Sequence, residues 1–483
     1  MAPNMPAAEE ALPEYERQEV AKHRSREDGG RVWVTYKDGV YDITEFVENH
    51  PGGAKRIMMA AGGAIDPFWS MYQQHNTAQA RRRVRDILSA YKIGRLKGGA
   101  DPGLKDMDPY KNEPADRHPA LVIRSAKPCN AETPLELLTA SLVTPADLFY
   151  VRNHLPVPEV DERSYRLRVE GEGLRTLELS LDDLKRNFRK HTVAAAMQCT
   201  GNRRQQLNEV KPVKGLEWEA GAIGNAVWAG ARLRDVLKAA GIREEDPDVQ
   251  HIQFEGLDKD LSQSPYGASI PLDTALGLHG DVLLAYEMNG QPLSRDHGAP
   301  LRVVVPGVSG CRSVKWVSKI VASSEESDSF WQQSDYKSFS PAIDWDNVDW
   351  SSAPPVYTMP VTSAICEPAR GAVIDDDEVT VRGYAWSGGG NGIIRVDVSL
   401  DEGKTWQLAE LKRMPQKPGR CWAWTLWEAV LPLPKDVPNG PLHICAKATD
   451  ESCNTQPDFA DSIWNLRGVC CNSWHRVQVE VQR

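Results

Sequence analysis

Two histidines and one cysteine carry the most distinctive chemistry in this chain of 483 residues. His50 stands in "VENHPGGAKR", where Pro51 fixes its own φ and biases His50 towards extended backbone, while Gly52 and Gly53 permit bends that other residues resist. His75 follows 25 positions later, after the apolar and aromatic run "AIDPFWSMYQQH". If both imidazoles reach one metal from opposite sides the site is closed, and a haem iron ligated in that way passes electrons rather than activating a ligand. Residue types alone leave open the alternative that His50 serves a turn and His75 a helix surface. Cys199 lies in "AAAMQCTGNRRQQ", with Arg203 and Arg204 close behind it. A lone cysteine is commonly a small buried hydrophobe, but cationic neighbours lower a thiol's pKa, and a thiolate is a soft metal ligand or a nucleophile. Arg152 in "FYVRNHLPVP", Arg302 in "HGAPLRVVVPG" and Arg467 in "IWNLRGV" sit in or beside apolar runs. An exposed arginine there is unremarkable, whereas a buried one requires an anion.

These residues fall in separate folding units. His50 and His75 belong to a compact segment, residues 1–96, in which "RVWVTYKDGVYDITEFV" predicts a strand pair around an Asp38-Gly39 turn, followed by short helices up to "RRRVRDILSAYKIGRL". The "RRRVR" run reads as a solvated helix face. Residues 97–117 are rich in Gly, Pro and Asp without helical or strand period, and read as a flexible linker. Residues 118–344 mix strand patterns such as "SYRLRVEG" and "HIQFEG" with helical ones such as "LDDLKRNF" and "ARLRDVLKAAG", which predicts a mixed α+β domain. From 345 to 483 helical periods vanish and short alternating strands follow one another, which predicts a β-sandwich. "SGGGNG", Ser387 to Gly392, has strands on both sides and no helix, so it reads as a hairpin turn rather than a phosphate loop.

Composition excludes several classes of function. The chain has 57 Lys and Arg against 67 Asp and Glu, a net charge of −10, which argues against nucleic acid as a partner. No apolar run approaches the length that spans a bilayer, so no membrane insertion is expected. The amino-terminal "MAPNMPAAEEALPEYERQEV" has neither a secretory nor a transit-peptide pattern, so no presequence is visible. Nine cysteines without a CxxC pair suggest neither a disulfide framework nor a zinc knuckle, and fit a compartment that tolerates free thiols.

"VYDITEFVENHPGG", a histidine at this interval and the closing "YKIGRL" resemble the cytochrome b5 family. That resemblance implies haem b with His50 and His75 as its axial ligands. "FYVRNHLPVP", "QCTGNRR", "PVKGLEW", "PYGASIP", "LLAYEMNG", "DHGAPLRVVVPG", "RSVKW" and "WNLRGV" resemble, in order, the molybdenum-cofactor domain of the sulfite oxidase family, so that the whole chain resembles the animal-type branch of that family. The architecture this implies is a multidomain α+β protein with an amino-terminal cytochrome b5-like domain, a central molybdenum-cofactor domain and a carboxy-terminal immunoglobulin-like β-sandwich that dimerises. Cys199 is implied as the molybdenum thiolate. Molybdopterin would be held by Tyr150, Val151, Arg152, Asn153, His154, Asp258, His297, Arg302, Ser313, Val314 and Lys315. Arg152, Arg204, Arg467, Trp218 and Tyr336 would line a sulfite pocket. Guanidinium forks suit a compact oxyanion better than flexible lysines, and Tyr336 could donate a hydrogen bond.

The implied activity is oxidation of sulfite to sulfate, with electrons passing singly through the haem to cytochrome c. A homodimer in the mitochondrial intermembrane space is implied as well. The haem module is expected to swing on its linker, so that shortening the linker slows intramolecular electron transfer. Thr200 departs from the family's usual alanine beside the ligand cysteine, and the vicinal Cys470-Cys471 reads as a buried thiol pair. Nitrate reductase is the nearest rival, but there the haem module follows the molybdenum domain. The other alternative is a non-catalytic haem electron carrier, against which the Cys199 and arginine cluster argues.

Overall fold

The computed structural model describes residues 12–50, 53–71, 78–99, 108–243, 247–434 and 438–482. His75, Pro51 and Gly52 lie outside the described residues, as does most of the stretch read for a presequence. The chain divides into two compact units, residues 1–112 with 260–264, and residues 113–259 with 265–483.

In the smaller unit a four-stranded sheet runs in the order Glu14–Tyr15, Lys92–Leu96, Gly39–Asp42, Trp33–Tyr36. The hairpin joining the last two turns on Lys37 and Asp38, with Lys37 at φ 54°, and Gly39 is already the first residue of its strand, one position from the expected turn. Gly39 fits there because the Tyr41 ring lies where a side chain would stand. The sheet and the helices Ala54–Met58, Asp66–Met71 and Ala78–Ala90 enclose a core of Val32, Val34, Ile43, Val47, Ile65 and Leu88. Helix Ala78–Ala90 turns Leu88 inward and leaves Arg82 and Arg85 exposed, the solvated face expected of the "RRRVR" run.

The larger unit holds the rest. Residues 113–117, assigned by composition to the linker, belong to it: Arg117 reaches Asp296 through both carboxylate oxygens at 2.8 and 2.9 Å and Glu113 at 2.7 Å. One mixed sheet runs Pro265–Pro271, His251–Lys259, Val317–Ser323, Leu167–Gly171, Leu177–Leu179; a second is built on Lys190–Gln198, Ile223–Arg232 and Leu283–Met288. Helix Leu181–Asn187 starts where predicted because Ser180 and Asp183 form a capping box, and helix Leu233–Ala240 stops at Gly241, φ 106°. Beyond residue 345 two sheets of four and five strands share one core, with Val381, Ile365 and Trp427 from one and Val396, Ile444 and Val479 from the other. This is the expected sandwich, and strand His475–Val481 shows its logic, burying Val477, Val479 and Val481 alternately. "SGGGNG" differs from expectation. It joins strand Glu378–Trp386 of one sheet to Ile393–Ser399 of the other, so it is a crossing between sheets rather than a hairpin. Its Gly389 N–H donates to Gly307 O at 3.0 Å, and a side chain on Gly388 would stand 2.6 Å from Gly307 O, so glycine permits close docking against the preceding domain.

Candidate active site

Strand Lys190–Gln198 ends by delivering Cys199 to the wall of a cavity. The Cys199 N–H donates to Ala222 O at 2.9 Å, and Asn202 N–H closes a turn on Cys199 O at 2.9 Å, so the backbone on both sides of the thiol is held. The cavity also gathers Tyr150, Arg152, His154, Asp258, His297, Arg302, Ser313, Lys315 and Tyr336, residues from five separated stretches of chain.

Its cations are fixed by carbonyl groups rather than by carboxylates. Arg302 donates to His297 O and Ser313 O at 3.1 Å each and to Met197 Sδ at 3.0 Å, with its guanidinium 5.0 Å from the centre of the Trp228 ring. Burial brings its pKa down to about 10, so it stays charged near neutrality. Lys315 donates to Asn153 Oδ1 and, at 2.8 Å, to Asp296 O. Burial pushes Lys315 down and Asp258 up, and the two draw each other back towards charge. Arg152 donates to Asn130 Oδ1 at 3.0 Å and to Asn153 O at 2.5 Å.

Two histidines are held neutral. His297 Nε2 lies 2.9 Å from Ala146 O; a carbonyl only accepts, so Nε2 carries the proton and Nδ1 is left as an acceptor. Burial brings its pKa to about 4. His154 is driven well below its usual range by burial and then by Arg152. Its Nε2 lies 2.5 Å from the Tyr336 hydroxyl, and its ring stacks on Tyr266 at 4.7 Å.

Several residues expected at the site stand behind the wall. Arg204 occupies a slot of glycines: a side chain on Gly215 would meet its guanidinium at 2.6 Å, and Gly201 and Gly468 complete the slot. Its Nε donates to Gly468 O at 2.8 Å and its Nη1 to Leu216 O at 3.0 Å, and it does not line the cavity. Arg203 faces the sandwich, bonded to Gln206, Ser363 O and Trp474 O. Arg467 is captured by the Asp335 carboxylate and, at 3.1 Å, its carbonyl. Trp218 is fully buried and packs in the same apolar cluster as Cys199, with its Nε1–H unpartnered. Val151, Asn153 and Val314 are also fully buried; Asn153 acts through Lys315 and Asp296, while the Val314 carbonyl accepts from Val303 N–H. The cavity wall adds Phe149, Met197, Thr200, Tyr266, Asp296, Cys311 and Trp316, none of them named from sequence as site residues. Asp296 and Cys311 could have been found by their adjacency to His297 and to the "SVK" of Ser313 to Lys315. Of the vicinal pair, Cys471 is buried and Cys470 half-buried beside Cys311 and Tyr336.

Two observations fit a large polar cofactor. Asp258 Oδ1 is buried without a hydrogen-bond partner, the state of an acceptor built for an N–H donor such as a pterin carries. Arg302, Lys315 and Arg152 suit an anionic tail, while Cys199 offers a soft ligand for molybdenum. In the smaller unit His50 Nδ1 lies 3.2 Å from Gly53 O, which places the proton on Nδ1, the tautomer in which Nε2 is the nitrogen able to ligate a metal. Burial lowers the pKa of His50 and keeps it neutral, as ligation requires. Those donors suit haem iron, though the second expected ligand, His75, lies outside the described residues.

Three family models match in succession: a cytochrome b5-like haem/steroid binding domain over residues 16–97, an oxidoreductase molybdopterin binding domain over 154–331, and a Mo-co oxidoreductase dimerisation domain over 353–482. The sulfite oxidase of Gallus gallus is 53% identical over 467 residues, 96% of this chain and 100% of that protein. The mitochondrial sulfite oxidase of Rattus norvegicus is 52% identical over 478 residues, 98% of this chain and 86% of that protein. Among solved structures, the sulfane dehydrogenase SoxCD of Paracoccus pantotrophus aligns with a TM-score of 0.62 at 26% identity, over 79% of this chain and 97% of that one.

Proposed function

Because the chain belongs to the sulfite oxidase family, we propose that its cavity seats molybdopterin against Asp258, His297, Arg302 and Lys315, and takes sulfite beside Cys199, Arg152, His154 and Tyr336. The activity is molybdenum-dependent oxidation of sulfite, on a chain that also carries a b5-like haem domain. Molybdenum bound by the pterin and a thiolate supplies a two-electron oxidation in which sulfite and water become sulfate and two protons, and the haem takes the electrons one at a time.

The chain's own residues bind and orient the anion. Arg152 keeps its charge in a buried setting, and Asn130 with the Asn153 carbonyl fixes the direction of its fork. Neutral His154 accepts from the Tyr336 hydroxyl, which holds the phenol at the wall and leaves its oxygen lone pairs to Arg152. Arg204 and Arg467 contribute field from behind the wall rather than direct contacts. Arg152→Gln should raise KM for sulfite roughly 10- to 100-fold, the worth of a charged hydrogen bond, with a smaller change in kcat. Steady-state kinetics on variants of equal molybdenum content measure this.

We assign cytochrome c as electron acceptor and the mitochondrial intermembrane space as compartment, in keeping with relatives named as mitochondrial. The dimerisation domain supports a homodimer, with an immunoglobulin-like sandwich as its base. The observation that carries the reading is the convergence of Cys199, three cations and the unpartnered Asp258 Oδ1 on one cavity. Anaerobic addition of sulfite should reduce the haem, and ferricytochrome c should reoxidise it. Haem reduced by nicotinamide nucleotides but not by sulfite would overturn the assignment.

A further inference from the structure

Beside Cys199 the cavity wall contains a short chain of hydroxyl and thiol groups that the reading above does not use. The Thr200 hydroxyl bonds the Ser309 hydroxyl, and Ser309 Oγ lies 3.1 Å from Cys311 Sγ. Thr200 Oγ1 also lies 3.9 Å from Cys311 Sγ, a third and longer contact within the group. The three meet because the turn Gly310–Arg312 presses on the end of the Cys199 strand: a side chain on Gly310 would stand 2.8 Å from Gln198 O and 3.1 Å from the Tyr150 hydroxyl. The Tyr266 hydroxyl donates to Cys311 O at 2.8 Å, and Cys470 N–H donates to Thr200 O at 2.8 Å, so both ends of the chain are anchored.

Counting protons gives the chain a direction. Thr200, Ser309 and Cys311 have one X–H each, and two close contacts use two of the three. Thr200 and Ser309 are 1% and 0% exposed, so a hydroxyl proton left over on either would be a buried unpaired donor, costly relative to a paired one. Thr200 donating to Ser309 and Ser309 donating to Cys311 Sγ pairs both hydroxyl protons through the two shorter contacts. The surplus proton is then the Cys311 S–H, on the thiol that shares the cavity wall with Cys199, Arg152 and Tyr336.

We propose that Thr200 and Ser309 orient the Cys311 thiol so that its S–H donates a hydrogen bond to the sulfur oxyanion in the pocket, making Cys311 a further substrate-binding residue. Thr200 and Ser309 are positioning residues for it. The inference rests on the sulfite pocket proposed above and adds a neutral donor to its cationic ones. A thiol is a weak donor, so its contribution is to orientation and affinity rather than to the chemical step.

The test uses the full chain with both cofactors and sulfate as the probe. The S–H infrared stretching band that disappears in Cys311→Ala should move to lower frequency when sulfate is added to the parent protein. Ser309→Ala should move the same band without sulfate, because its anchor is gone. KM for sulfite should rise roughly three- to tenfold in Cys311→Ala with kcat nearly unchanged, and Cys311→Ser, which keeps a donor, should restore it. A band indifferent to sulfate, or a KM unaltered in both Cys311 variants, overturns the proposal. Should the alanine variant not fold, the KM of Cys311→Ser and the Ser309→Ala band shift decide. Failure of the pocket assignment itself is separable, since the parent protein would then show no reduction of haem by sulfite.

Discussion

Cys199→Ser is expected to abolish sulfite oxidation, with kcat falling on the order of a thousandfold or more, while the haem remains fully reducible by dithionite. The substitution exchanges a sulfur able to serve as a soft metal ligand for a hard hydroxyl at nearly the same volume. Cys199 is buried, and its N–H and carbonyl are both occupied by Ala222 and Asn202, so serine should sit in the same place without disturbing the strand. The loss would therefore be one of chemistry and not of fold. Anaerobic mixing with sulfite, followed at the haem absorbance, is the measurement. Turnover within tenfold of the parent would remove Cys199 from the reaction.

The second large effect is on assembly. Arg302→Met keeps most of the side-chain volume but removes the donors to His297 O, Ser313 O and Met197 Sδ, in a site only 4% exposed. Leaving those buried acceptors without their donor should cost about 3–5 kcal/mol and lower the melting transition of the larger unit by roughly 5–10 °C. Molybdenum content should fall as well, because the same carbonyl contacts set His297 and Ser313 against the cavity. Arg302→Lys should not rescue either property, since one ammonium cannot reproduce the guanidinium fork. Calorimetry and metal analysis on the two variants check this, and an unchanged melting transition with full molybdenum in Arg302→Met would contradict it.

Local elements were legible in the sequence where burial has a short period or a cap marks an end. Alternating valines of His475–Val481, the Ser180 capping box and Gly241 after Leu233–Ala240 are of this kind. "SGGGNG" was misread because a glycine turn looks the same whether its strands pair or part into two sheets, and the partners of Glu378–Trp386 are Thr362–Glu367 and the far strand Thr425–Pro432. Residues 113–117 look like linker by composition, yet Arg117 finds Asp296 nearly 180 positions later.

The same division applies to the site. Residue types at His50, Cys199 and the arginines left several roles open, and the resemblance of the motifs around them supplied the expected inventory: a haem-type histidine, a soft metal ligand, and cations for an anion. Which of five arginines faces that anion was decided by the tertiary structure alone. Arg203, Arg204 and Arg467 lie within the motifs "QCTGNRR" and "WNLRGV", but Ser363 O, Gly468 O and Asp335 capture their guanidiniums, whereas Arg152 and Arg302 remain at the wall. A guanidinium carries several donors and points to whichever acceptors the fold brings nearest. Those acceptors come largely from segments distant in the chain, so the direction of each arginine is a property of the packed molecule and not of any stretch of its sequence.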